Sequence, residues 1–187
     1  MLTQPTIEKL HSMKLTAMAR AFANQMQSPD MAQLSFEERF GLLVDYQMTD
    51  LENRRMQNRL KNAKLRLSAS LEDLDFKQGR GLDRSTVMSL ALNQWVTSHH
   101  NILVTGPTGA GKSYLACALA QKACRDGYTT LYQRVQRLLQ EIAVARLDGR
   151  YARVIAPIIK CEVLILDDLL ISPLTREEQR EILEIVE

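Results

Sequence analysis

Gly106-Pro107-Thr108-Gly109-Ala110-Gly111-Lys112-Ser113 is the stretch on which the reading of this chain turns. Its spacing is G-x-x-x-x-G-K-S, the pattern of a loop that wraps its backbone around phosphate groups. Such a loop needs a strand before it and a helix after it. Residues 101–105, Asn-Ile-Leu-Val-Thr, form a short apolar run ending at the first glycine. Residues 113–120, Ser-Tyr-Leu-Ala-Cys-Ala-Leu-Ala, are rich in helix formers. The pattern therefore predicts strand, loop and helix in that order.

Each part of the loop has a physical task. Gly106, Gly109 and Gly111 let the backbone turn tightly, so that successive N–H groups point at an anion. Pro107, Thr108, Ala110 and Tyr114 complete the candidate cofactor-binding set. The helix that starts near Lys112 adds the positive end of its dipole. Lys112 is the candidate for the β- and γ-phosphates, and Ser113 offers a hydroxyl to Mg²⁺. Mg²⁺ keeps most of its waters, so one hydroxyl and one carboxylate suffice as protein ligands. The loop implies a nucleoside triphosphate with Mg²⁺ and does not separate ATP from GTP.

The carboxylate comes later. Val163-Leu164-Ile165-Leu166 is a continuous apolar run, as in a strand covered on both faces of a parallel sheet, and it ends in Asp167-Asp168. Ligands of such sheets sit beyond the carboxyl ends of the strands. Two carboxylates therefore arrive at the edge that carries Lys112 and Ser113. Asp167 is the candidate metal ligand. Asp168 is the candidate to orient or deprotonate the attacking water. The catalytic set is thus Lys112, Asp167 and Asp168.

Around these motifs the chain alternates strand and helix. Residues 129–133 read as a second strand, and 135–147 and 151–160 as helices separated by Asp148-Gly149. That alternation argues for a parallel α/β sheet. The N-terminal part has no strand signal. Residues 5–27 read as one amphipathic helix, with Ser28-Pro29-Asp30 breaking it. Ser35 and Glu38 form a capping box. The helix it opens is expected to bury Phe36, Phe40, Leu43, Val44, Met48 and Leu51 on one face. Asp83, or Ser85, is expected to cap a helix running through Trp95. Polar, glycine-containing residues 71–82, including Lys77, Gly79 and Arg80, read as a connector. They divide a helical domain, 1–75, from a nucleotide-binding domain, 76–187.

Arg54, Arg55, Arg59, Lys61, Lys64 and Arg66 crowd residues 54–66 with no acidic residue among them. A solvated helix face explains such a run, and so does contact with the phosphates of a DNA duplex. No aromatics interleave with the arginines, which argues against stacking on single strands. With a formal charge of only +2 over 187 residues, any electrostatic argument must be local. The three cysteines, Cys117, Cys124 and Cys161, lack metal-ligand spacing and fit reduced thiols in a cytoplasmic protein. No apolar run reaches membrane-spanning length.

Taken together, the phosphate loop, the 163–168 segment and Ser172-Pro173-Leu174-Thr175 resemble the IstB-like ATPases. These are AAA+ helper proteins encoded beside insertion-sequence transposases, and they are related to the helicase loader DnaC. The resemblance implies adenine rather than guanine, ATP with Mg²⁺, assembly of homo-oligomers on double-stranded DNA, and a transposase as partner. It also implies an all-helical N-terminal domain that touches DNA, followed by a P-loop AAA+ sheet. A helicase loader and a non-catalytic DNA-binding fragment are the alternatives. Leu169-Leu170 depart from the family, which often has glycine soon after the paired acids. The family also continues for several tens of residues beyond Glu187, with two further strands, a polar sensor residue and an arginine that reaches a neighbour's nucleotide. The expectation is an incomplete sheet that binds nucleotide better than it hydrolyses it, with 101–105 and 163–167 flanking a gap one strand wide.

Overall fold

A computed structural model of the chain describes residues 3–76, 81–169 and 171–186. It divides into two compact units, Met1–Gln57 and Asn58–Glu187. The boundary expected at 75/76 lies inside the second unit. Connector residues Lys77, Gly79 and Arg80 lie outside the described residues, as does Leu170.

In the first unit, α1 (Thr3–Ser12) and α2 (Thr16–Gln27) replace the single helix expected over 5–27. The break comes from backbone geometry. Lys14 is left-handed at φ +62°. The Leu15 N–H then donates to the Leu10 carbonyl (2.9 Å) and the Lys14 N–H to that of His11 (2.9 Å). This pair of bonds closes a helix in a Schellman turn. A short 3-10 turn, Pro29–Gln33, leads to α3 (Phe36–Ala63), whose end from Asn58 onward belongs to the second unit. The expected capping box opens α3: Ser35 N–H donates to Glu38 Oε2 (2.8 Å) and Glu38 N–H to Ser35 Oγ (3.2 Å).

The apolar face of α3 differs from expectation. Leu43 is buried, but Phe36 is 69% and Phe40 51% exposed, and Val44 and Met48 are also exposed. Polar groups on α2 and α3 also meet. Met18 N–H donates to Gln47 Oε1 (3.0 Å), and Gln25 Nε2 donates to the Arg39 carbonyl (2.9 Å). A unit this small has too few elements to cover every side of a 28-residue helix. Phe36 and Phe40 instead stack on one another, ring centroids 6.0 Å apart.

In the second unit, Asp83 caps α4 (Arg84–Leu90), and α5 (Gln94–Thr97) follows. The helix expected through Trp95 is interrupted because Asn93 turns left-handed at φ +56°. Asn93 is buried there, and its Nδ2 donates to Asp126 (2.6 Å). The phosphate loop then runs into α6 (Lys112–Arg125). Gly127, at φ +109°, ends that helix as expected, with Tyr128 N–H on the Ala123 carbonyl (3.0 Å). β1 (Thr130–Arg134), α7 (Val135–Leu147), α8 (Tyr151–Lys160), β2 (Val163–Asp167) and α9 (Arg176–Val186) complete the order.

β1 and β2 pair in parallel, with Tyr132 opposite Ile165 and Arg134 opposite Asp167. Successive residues on a strand face opposite ways. Tyr132 and Ile165 accordingly pack with Cys117 and Ala118 of α6. Leu131, Leu164 and Leu166 pack with Leu138 and Ile142 of α7 and Ile158 of α8. A small parallel sheet thus lies between helices on both faces, as the alternation of elements predicts.

The strand expected at 101–105 is not formed. Ile102 and Val104 pack toward Val87, Leu115 and Leu119 while Leu103 is 82% exposed, so the segment keeps the alternation of a strand. A strand also needs a ladder of hydrogen bonds to a neighbour. The sheet of the described residues contains only β1 and β2. Among the described residues no helix is long and apolar enough to cross a membrane.

Candidate functional site

The loop has the backbone its sequence demands. Gly106, Gly109 and Gly111 stand at φ +151°, +83° and +92°, where a side chain is strained. Gly111 is the N-cap of α6, so the first N–H groups of that helix lack intrahelical acceptors and are free to face an anion. The Lys112 ammonium lies back over the loop and donates to the carbonyls of Gly106 and Pro107, both at 2.9 Å. A phosphate entering the loop would exchange those carbonyls for charged oxygens, a stronger acceptor for an ammonium.

Ser113 and Asp167 come from α6 and β2, 54 positions apart in the chain, and meet: Ser113 Oγ donates to Asp167 Oδ2 at 2.7 Å. The same oxygen accepts the hydroxyl proton of Tyr132. Asp167 Oδ1 accepts from the Asp168 N–H (3.0 Å). Burial raises the Asp167 pKa, but Tyr132, Ser113, the Asp168 amide and nearby Arg66 together hold the carboxyl below its ordinary value. Tyr132 moves the other way. Burial, and then its bond to the Asp167 carboxylate, push the phenol up to about 12, so it stays protonated and donates. One hydroxyl and one ionised carboxylate at hydrogen-bond distance form a hard, all-oxygen donor pair that fits Mg²⁺. When bound, Mg²⁺ neutralises charge on the β- and γ-phosphates.

Asp168 turns left-handed at φ +61°, which releases it from strand alternation at the end of β2. Its carboxylate is engaged: Arg134 donates to Asp168 Oδ2 from Nε (2.9 Å) and Nη2 (2.7 Å). Both bonds fall on Oδ2 and fix the carboxylate at the end of β2.

The six cations of 54–66 do not share one role. Arg54 pairs with Asp50 one turn away (2.7 Å). Arg59 Nε donates to the Cys124 carbonyl (2.8 Å), which satisfies the last turn of α6. Arg66 Nη1 lies 3.8 Å from Asp167 Oδ2. Arg55, Lys61 and Lys64 stand exposed. The structure therefore gives Arg59 a helix-capping contact and brings Arg66 to the carboxylate site.

Sequence reasoning did not find Tyr132 and Arg134. A signal was available. Two residues apart on a strand, they share a face, and the C-terminal end of a parallel neighbour lies at the same edge as Asp167.

A glycine loop opening a helix, with its serine hydrogen-bonded to a strand-end carboxylate, is the arrangement expected of a P-loop nucleotide-binding site. The family of IstB-like ATP binding proteins matches residues 8–187, and the chain belongs to that family. A Pseudomonas fluorescens protein named as the ATP-binding protein of insertion sequence IS1162 is 43% identical over 100% of this chain and 81% of its own length. Two insertion-sequence ATP-binding proteins of Sinorhizobium fredii, y4pL and y4uH, are 45% and 39% identical over 100% of this chain and 76% and 75% of theirs.

Proposed function

We propose that this chain is an ATP-binding helper of insertion-sequence transposition. Mg²⁺ and ATP bind at Gly106–Ser113 and Asp167, and the nucleotide governs assembly on duplex DNA beside a transposase. The observation that carries the nucleotide reading is the 2.7 Å bond between Ser113 and Asp167, next to an ammonium held over the glycine loop. The names of the relatives support ATP over GTP and transposition over helicase loading. Exposed Arg55, Lys61 and Lys64 support a backbone contact with DNA that does not read sequence. Binding is the primary activity in this reading.

The test is nucleotide binding to the Lys112→Ala variant. A hydrogen bond to a charged group contributes about 1.5–3 kcal/mol. The expected loss of affinity for fluorescent ATP is therefore roughly 10- to 100-fold, with the melting curve retained. ATP binding unchanged by Lys112→Ala would sink the reading.

A further inference from the structure

Arg66 stands where a cation is needed. Asp167 is a part-buried carboxylate, and a carboxylate taken from water must find compensating charge or hydrogen bonds. Ser113 and Tyr132 supply hydrogen bonds to Oδ2 but no charge. The guanidinium of Arg66 supplies the charge, 3.8 Å from the same oxygen. Its own pKa is raised by a hydrogen bond with Tyr132 and by the nearby charge of Asp167 and Asp168. Arg66 sits on the stretch that leaves α3. Neighbouring Leu65 and Ala69 are anchored in the cluster of Cys117, Ala118 and Tyr132. The side chain itself is 47% exposed and has room to swing toward solvent.

A divalent ion held by Ser113 and Asp167 would bring two positive charges to the oxygen that Arg66 faces. Like charges at such separations repel strongly where solvent screening is partial. We propose that Arg66 is a built-in counter-ion that competes with Mg²⁺ for Asp167, so that Mg²⁺-nucleotide binding frees Arg66 and loosens the segment leaving α3. The inference rests on reading Ser113 and Asp167 as the Mg²⁺ pair. Coupling of this kind is reciprocal: whatever draws Arg66 away from Asp167, a DNA phosphate included, strengthens Mg²⁺-nucleotide binding by the same factor.

The experiment is a Mg²⁺ titration of fluorescent ADP binding to the full chain, with wild type, Arg66→Gln and Arg66→Lys, each also measured in EDTA. Arg66→Gln is expected to reach half-saturation at about 5- to 10-fold lower Mg²⁺, with binding in EDTA unchanged. Arg66→Lys, which keeps the charge, is expected to stay closer to wild type. An Arg66→Gln titration that overlays wild type, or needs more Mg²⁺, overturns the proposal. So does loss of binding in EDTA, which would make Arg66 a phosphate ligand. Hydrogen exchange on wild type gives a readout free of any variant. Exchange across 64–70 is expected to rise with Mg²⁺-ADP and not with ADP in EDTA, and an unchanged or slower rate with Mg²⁺ overturns the proposal. Wild-type protein that binds no nucleotide with Mg²⁺ would remove the P-loop reading itself. Normal wild-type binding with an indifferent Arg66→Gln removes only the counter-ion.

Discussion

The hydroxyls of Ser113 and Tyr132 share one acceptor, Asp167 Oδ2, and they differ in what they can do next. Ser113 keeps its acceptor lone pairs after donating and can ligate a metal. Tyr132, 6% exposed between α6 and the sheet, can only hold the carboxylate in place. Tyr132→Phe removes that bond and leaves the ring packing intact. The expected loss is about 1.5–3 kcal/mol of unfolding free energy, the value of a hydrogen bond to a charged group, read by urea denaturation. The same variant removes a contact that lowers the Asp167 pKa, so nucleotide binding should begin to fail at a higher pH as the solution is acidified. Legibility differs residue by residue here. Lys112, Ser113 and Asp167 announce themselves because a phosphate loop needs those types at those spacings. Tyr132 and Arg134 belong to no local pattern, and their partners are fixed only when β1 and β2 pair.

Among the elements, the helix starts follow the sequence closely. Ser35–Glu38 and Thr175–Glu178 both form reciprocal capping boxes, with Thr175 N–H on Glu178 Oε2 at 2.7 Å. Asp83 caps α4 alone, accepting from the Ser85 hydroxyl and from the Thr86 N–H (2.8 Å) and hydroxyl (2.9 Å). Those bonds, the Ser85 hydroxyl first, lower its pKa from 3.8 to about 2. A carboxyl whose folded pKa is depressed contributes its stability above the unfolded value and loses it as pH falls through the folded one. Asp83→Ala should therefore melt at a lower temperature than wild type at neutral pH. The difference should shrink below about pH 4 and vanish near pH 2. Thermal scans over that range check it, and a constant difference would assign the effect to something other than the cap. Helix faces and strands were less legible than helix starts, for a physical reason. Burial of Phe36 and Phe40 depends on what lies against α3, and strand status for 101–105 depends on a partner for its N–H and C=O groups. Neither is written in the local spacing.

For the molecule as a whole, net charge says little and its distribution says more. Arg54, Arg59 and Arg66 each have a partner within the fold, which leaves Arg55, Lys61 and Lys64 as the exposed cations of 54–66 with no ion pair among the described residues. In a Lys/Arg-phosphate contact, each cation adds about one unit to the dependence of log K on log salt. The triple alanine variant at those three positions should flatten the salt dependence of duplex binding by roughly three units, in a fluorescence titration over rising salt. An unchanged slope would overturn the assignment of phosphate contacts to these residues. A last consequence concerns thermal tolerance. Three helix ends close with the same pair of hydrogen bonds, at Lys14, His99 and Gly127, yet only the last uses the residue suited to left-handed backbone. Each of the other two carries strain on the order of 1 kcal/mol, offset in part by the entropy a glycine would lose on folding. The fold thus permits a somewhat more stable protein than this sequence makes, and two exposed positions are where that margin lies.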